Sequence, residues 1–290
     1  MSDRPEEWPI HWWRSGPVAA QLSHEFACCV VPMHVAYLVA RTPRSAWCSG
    51  WLLWLADELL LWMTAAHVIE EILKLRDDPT VSDVTARLVD DHPYANGEKG
   101  IPIALHGLPC YSADRLDFGA VLIRPGYAAP LLKNPNIRPV KPETWIGNAS
   151  AKPEGYYVVG VPAAFGKSDV CDKRGGVIRG EAGAFLMCLP LELLKPSEYG
   201  KGPFWEHPGH LFGRLIPFTE GDSPETASSI QGMSGGMVVG IKRRPKDGLW
   251  WHLFGIQSAW LPESRIIRAV PIEMAVNELA DFFRQLGAGS

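Results

Sequence analysis

The sequence predicts an all-β chain, folded as two barrels or sandwiches and finished by one amphipathic helix. Three observations carry that expectation. Short apolar runs recur along most of the chain, and Gly and Pro punctuate them about every ten to twenty residues. A stretch at 125–142, rich in Pro and Asn and without periodicity, separates two strand-rich halves. After Pro271, the apolar residues Ile272, Ala275, Val276, Leu279, Phe283 and Leu286 fall at steps of three and four, with Gly287 as a stop.

The elements follow in order. Residues 1–24 read as an N-terminal arm, opening with Pro, Trp and charge. Strands are expected at 26–31 and 34–39, with Pro32 between them. Residues 50–55 and 59–64 form the next pair, joined by a turn at Ala56-Asp57-Glu58. Residues 81–89 alternate, and 118–123 is a continuous apolar run suited to a strand buried on both faces. In the second half the clearest runs are 156–161, 184–189, 211–218, 237–241 and 250–256. Division into an arm (1–24), a first half (25–140) and a second half (141–290) follows.

Composition narrows the function classes. A chain of 290 residues with 47% hydrophobic and 21% charged residues can bury a sizeable core and is not disordered. Net charge is −4, and the densest basic cluster, Lys242-Arg243-Arg244, reads as a solvated hairpin turn, so no nucleic-acid partner is expected. Six cysteines include no C-x-x-C pair, which argues against a zinc site or disulfide framework and for a reducing compartment. The N-terminus lacks a secretory pattern, and the apolar stretch 47–63 is short and carries Asp57 and Glu58. No membrane span, metal or cofactor is expected, and the expected location is cytoplasmic.

Three segments carry chemistry. Thr64-Ala65-Ala66-His67 follows an apolar strand, Asp117 opens another, and Ser234 lies in the glycine-rich turn Gly232-Met233-Ser234-Gly235-Gly236. A serine hydroxyl needs an adjacent base to become a nucleophile at neutral pH. Imidazole suits that task, and a carboxylate can fix its tautomer and stabilise its cation. Glycines around the serine let backbone N–H groups converge where an oxyanion would develop.

These segments, in the order His, Asp, Ser, resemble the chymotrypsin-like (trypsin-like) serine protease superfamily. The absence of a disulfide pattern resembles its bacterial, HtrA-like type. Ser49-Gly50-Trp51 resembles the family's strand leading to the histidine, Leu116-Asp117-Phe118-Gly119-Ala120 its acid segment, and 232–236 its nucleophile loop. The resemblance implies two six-stranded β-barrels with a C-terminal helix. It implies Ser234 as nucleophile, His67 as general base and Asp117 as orienting acid. It implies an oxyanion hole from the N–H groups of Gly232 and Ser234, with Met233 helping to hold the turn. Ser258, Ala259 and Trp260 resemble the strand that pairs with an extended peptide, and Ser258 would support Asp117.

Two departures from the family bear on regulation and specificity. Met233 stands where digestive members carry Asp, which excludes activation through that salt bridge. Ser228, six residues before the nucleophile, is not acidic, so with Ser229 it suits an apolar or small side chain rather than Arg or Lys; Trp260 would narrow the pocket. An α/β-hydrolase is disfavoured by the motif order and by the polar residues 226–231 before Ser234. Pro208 and Gly209 argue against a helical metal pair at His207 and His210, and no Cys sits in a glycine-rich turn. The remaining alternative is a trypsin-fold peptide- or partner-binding module, catalytically silent or dependent on an activating partner.

Overall fold

The computed structural model describes residues 12–55, 59–89, 100–146, 152–162, 167–174, 177–183, 186–216, 230–244 and 248–288. From Trp12 onward the N-terminal arm is more structured than its composition implies. Trp12 and Trp13 are buried in a short 3-10 turn, and α1 (Gly16–Phe26) follows with Pro17 in its first turn. Val18, Ala19, Leu22 and Phe26 form its buried face. Residues 26–31, expected as a strand, are therefore the end of a helix and the connection beyond it. Trp13 crosses to the second half: a Cβ on Gly155 would lie 2.3 Å from its ring.

The first half contains β1 (Met33–Val39), β2 (Thr42–Cys48), β3 (Trp51–Trp54), β4 (Leu60–Thr64), α2 (Ala66–Asp77), β5 (Val81–Leu88), β6 (Ile101–Ile103), β7 (Cys110–Ala113) and β8 (Phe118–Leu122). The strands form two four-stranded sheets, β2-β1-β5-β6 and β3-β4-β8-β7, where a six-stranded barrel was expected. The chain changes sheets at Ser49-Gly50. There the Trp62 ring occupies the space a Gly50 Cβ would need, and its Nε1 donates to the Val31 carbonyl at 2.6 Å. Met33, Val35, Leu52, Trp62, Leu88 and Val121 lie in the core between the sheets. β3 and β4 pair as expected, and the turn expected at 56–58 lies outside the described residues. The helix α2 was not read from the sequence, although Val68, Ile69 and Ile72 have helical spacing and are buried.

The stretch expected as a linker holds α3 (Pro125–Lys133), and α4 (Glu143–Ile146) follows it. Between them Val140 bonds to Leu52 and Trp54 of β3, which ties the connection to the first half. In the second half, β9 (Gly155–Gly160) precedes the hairpin β10 (Lys167–Arg174) and β11 (Val177–Gly183). Then come β12 (Met187–Leu193), β13 (Leu211–Leu215), β14 (Met237–Arg244), β15 (Gly248–Leu261) and β16 (Ile266–Pro271). Six of these close into a barrel in the order β12-β13-β16-β15-β14-β9. The C-terminal α5 (Ile272–Ala288) follows, buries Ile272, Ala275 and Leu279, and runs past Gly287, where a stop was expected. No helix among the described residues is long and apolar enough to cross a membrane.

The cysteines differ in their surroundings. Cys29 Sγ lies 3.8 Å from that of Cys28. This hydrogen bond, opposed by burial and aided by Arg138, brings the Cys28 thiol down to about 7. Burial pushes Cys48 and Cys188 up to about 12. Among these three, limited alkylation of native protein near neutral pH is expected to modify Cys28 first, because the thiolate is the nucleophile. Peptide mapping checks this, and earlier modification of Cys48 or Cys188 would refute it.

Candidate active site

His67 stands in the first turn of α2, directly after β4. The N-cap residue, Ala65, has no capping side chain. The Asp117 carboxylate stands in that place: Oδ1 lies 3.4 Å from the His67 backbone N–H and 2.9 Å from Nδ1 of the ring. An anion there also faces the positive end of the helix. Asp117 is held by the tight turn between β7 and β8, where its N–H donates to Ala113 at 2.7 Å. Its φ of 59° lies in the left-handed region, which Asp tolerates better than most residues.

The hydrogen bond to Asp117 raises the His67 pKa above 6.5; burial opposes this, and the charges of Asp117, Glu71 and Glu70 add to it. The ring side chain is 40% exposed, so solvent and a ligand can reach it. The second carboxylate oxygen is also occupied. Arg268 of β16 donates from Nη2 to Asp117 Oδ2 at 3.0 Å.

The Ser234 turn is seated against the approach to His67. A Cβ on Gly235 would lie 2.2 Å from Thr64 Oγ1 and 2.6 Å from the Ser49 carbonyl. The closeness, with φ +91°, requires glycine there. Thr64 donates to the Ser49 carbonyl at 2.8 Å. Ser49 Oγ in turn reaches the carbonyls of Val161 at 2.9 Å and Gly232 at 3.0 Å. Ser49 and Thr64 are fully buried, so these bonds form a dry link between the halves.

Within the turn, Met233 N–H donates to Ile230, Gly236 to Met233 and Gly235 to Gln257, at 3.0, 2.8 and 2.7 Å. Among the described residues no carbonyl accepts from the N–H of Gly232 or Ser234, the pair expected to face an oxyanion. Nor does a hydrogen bond join Ser234 to the His67 ring among the described residues; such bonds are often loose without substrate.

Ser258 lies at a bulge where the β15–β16 register shifts between Gln257 and Ala259. Its hydroxyl donates to the Arg268 carbonyl at 3.3 Å and accepts from Arg268 Nε at 3.1 Å. Ser258 thus meets Asp117 through Arg268, rather than by the direct contact expected. Ala259 and Trp260 are half-buried on the same strand. The β14 pairing of β15 ends at Ile256, Gln257 still exchanges backbone bonds with Gly235 and Gly236, and from Ser258 onward the described strand pairing of β15 is with β16. Ser228 and Ser229 lie outside the described residues.

Sequence reading missed Arg268, and it weighed His207 and His210, in the loop between β12 and β13, only as an unfavoured metal pair. His210 Nε2 in that loop contacts the Leu116 carbonyl at 2.9 Å, one residue before Asp117. The rings of His207 and His210 meet edge to face, 5.0 Å apart. Among the described residues no group of three or more His, Cys, Asp or Glu side chains could hold a metal ion.

No protein-family model matches the chain, and comparison with curated proteins finds no match. Solved structures similar to it include proteases. The active form of the Rv3671c protease from M. tuberculosis is 12% identical, with a TM-score of 0.45 over 92% of this chain and 86% of that one. The protease Anisep from Arthrobacter nicotinovorans is 14% identical, with a TM-score of 0.40 over 84% and 90%. The tobacco vein mottling virus protease is 10% identical, with a TM-score of 0.39 over 86% and 79%.

Proposed function

We propose that the chain is a serine endopeptidase acting through an acyl-enzyme, with Ser234, His67 and Asp117 in the roles of nucleophile, base and orienting acid. One observation carries the reading: Asp117 Oδ1 holds His67 Nδ1 at 2.9 Å, while the Ser234 turn packs on the residues just before that histidine. With Nδ1 donating to the carboxylate, Nε2 is left unprotonated and can accept the hydroxyl proton. Ser234 Oγ then bonds to the substrate carbonyl carbon. His67 returns the proton to the leaving amine as the C–N bond breaks, and water repeats the sequence to release the acid.

The N–H groups of Gly232 and Ser234 take the oxyanion; one such donor is worth about 2.7–4 kcal/mol in barrier. A peptide or protein substrate fits the edge of β15 from Ser258 to Trp260, to which an extended chain can add as a strand. Residues 25–140 and 141–290 act as the two halves that meet at the site. Ser228 and Ser229 complete the substrate pocket in this reading.

A fluorophosphonate probe tests it. Attack by Ser234 expels fluoride and leaves one phosphonyl group, read by intact mass and peptide mapping. Labelling at Ser234, absent in Ser234→Ala and suppressed in His67→Ala, is the expected result. No labelling of folded wild type would refute an assembled hydrolase site and favour a binding module or one awaiting an activating partner.

A further inference from the structure

Arg268 occupies an unusual setting for a charge. Its neighbours in β16 (Ile266, Ile267, Ala269 and Val270) are apolar and buried, and Arg268 itself is only 8% exposed. A guanidinium in such a place is costly unless paired and hydrogen-bonded. Here Nε meets Ser258 Oγ at 3.1 Å, Nη2 meets Asp117 Oδ2 at 3.0 Å, and the Phe204 ring lies 5.8 Å from the guanidinium. Two donors on one planar group thus span from the bulge in β15 to the carboxylate.

We propose that Arg268 is a positioning residue for His67: it fixes which oxygen Asp117 presents to the imidazole and offsets part of the negative charge that the imidazole meets. The inference rests on the proposed role of His67. A carboxylate bonded only through Oδ1 could rotate about its own axis; a donor on Oδ2 removes that freedom. His210 holds the neighbouring Leu116 carbonyl, so the left-handed turn at Asp117 is gripped from a second side.

The charge argument is independent. Asp117, Glu70 and Glu71 all favour a protonated His67. Across Asp117 lie Arg268, His207 and His210. Burial, followed by the charge of Arg268, draws the His207 pKa below 6.5, whereas a guanidinium keeps its charge throughout the titration. Arg268 is therefore the permanent cation opposing the carboxylates from β16.

The test reads the His67 ring directly, by imidazole 15N NMR titration with the signal assigned from its loss in His67→Gln. In Arg268→Gln and Arg268→Met the midpoint is expected to rise by about one unit. In Arg268→Lys it returns towards wild type. The glutamine variant keeps a donor for Oδ2, should the methionine variant fail to fold.

Fluorophosphonate labelling is followed in parallel. Its acid limb should move up with the ring, and its alkaline plateau should fall about tenfold in all three variants, since an ammonium cannot span both partners. A wild type that labels nowhere would sink the peptidase reading yet leave the ring titration decisive for Arg268. A His67 midpoint unchanged or lowered in the folded neutral variants would overturn the proposal.

Discussion

Asp117→Asn is expected to slow Ser234 modification about ten-thousand-fold, or about 5.5 kcal/mol of barrier, with the protein still folded. The reason lies in the two donors around the carboxylate. Arg268 Nη2 faces Oδ2, and a guanidinium only donates. An asparagine there turns its carbonyl to Arg268 and its NH₂ to His67 Nδ1. The imidazole must then accept at Nδ1 and carry its proton on Nε2, the nitrogen needed to receive one from Ser234. The same change removes the hydrogen bond and charge that raise the His67 pKa.

In the proposed mechanism the neutral ring is the reactive form, so the wild-type rate is expected to fall as pH drops through the raised pKa. In Asp117→Asn this acid limb moves to lower pH while the plateau collapses. The stability effect has the opposite pH sense. A raised histidine pKa stabilises the fold below the unfolded value near 6.5, and that contribution is lost as pH rises through the folded value. Labelling rates across pH, with unfolding followed in parallel, check both. A plateau within tenfold of wild type would show that Asp117 does not set the tautomer.

The parts of this site that were legible in the sequence are those whose chemistry demands a local pattern. His67 is marked by small residues before it, and Ser234 by the glycines that its close approach to Thr64 requires. Asp117 is marked by its place at the start of a buried strand. Arg268 carries no such pattern. Its segment is not among the runs read as strands; in the fold Arg268 lies opposite Ala259, beside the Ser258 bulge, and is buried. A charge inside a run buried on both sides is the one clue available.

The missed helices have a similar cause. The face of α1 is made of Val18, Ala19, Leu22 and Phe26. Its last residue begins the run Phe26-Ala27-Cys28-Cys29-Val30-Val31, whose β-branched end reads as strand. The expected six-stranded first barrel overlooked β2, with its burial broken by exposed residues, and the short β6 and β7. The second-half barrel was more legible: β9, β12, β13, β14 and β15 each overlap an expected apolar run, and β16 was not read.

Gly235→Ala is the substitution expected to damage the site most among changes that touch no reacting group. Its Cβ would meet Thr64 Oγ1 at 2.2 Å, the Ser49 carbonyl at 2.6 Å and Thr64 Cα at 2.7 Å. Two of these are backbone atoms of buried residues, so no flexible side chain can yield. Alanine at φ +91° adds backbone strain of about 1–3 kcal/mol. Overpacking adds about 1–3 kcal/mol more.

The turn can relieve this only by lifting away from β4, which also withdraws Ser234 from His67. A displacement of about 1 Å costs about a hundredfold in rate. The variant is thus expected to lose at least that in labelling and to melt lower, by about 2–4 °C per kcal/mol. Adding Thr64→Ala is expected not to rescue it, because the Ser49 carbonyl and Thr64 Cα remain in the way. Calorimetry and labelling of the single and double variants decide the matter. A single variant with wild-type melting and labelling would mean that the Ser234 turn does not sit against the residues leading to His67.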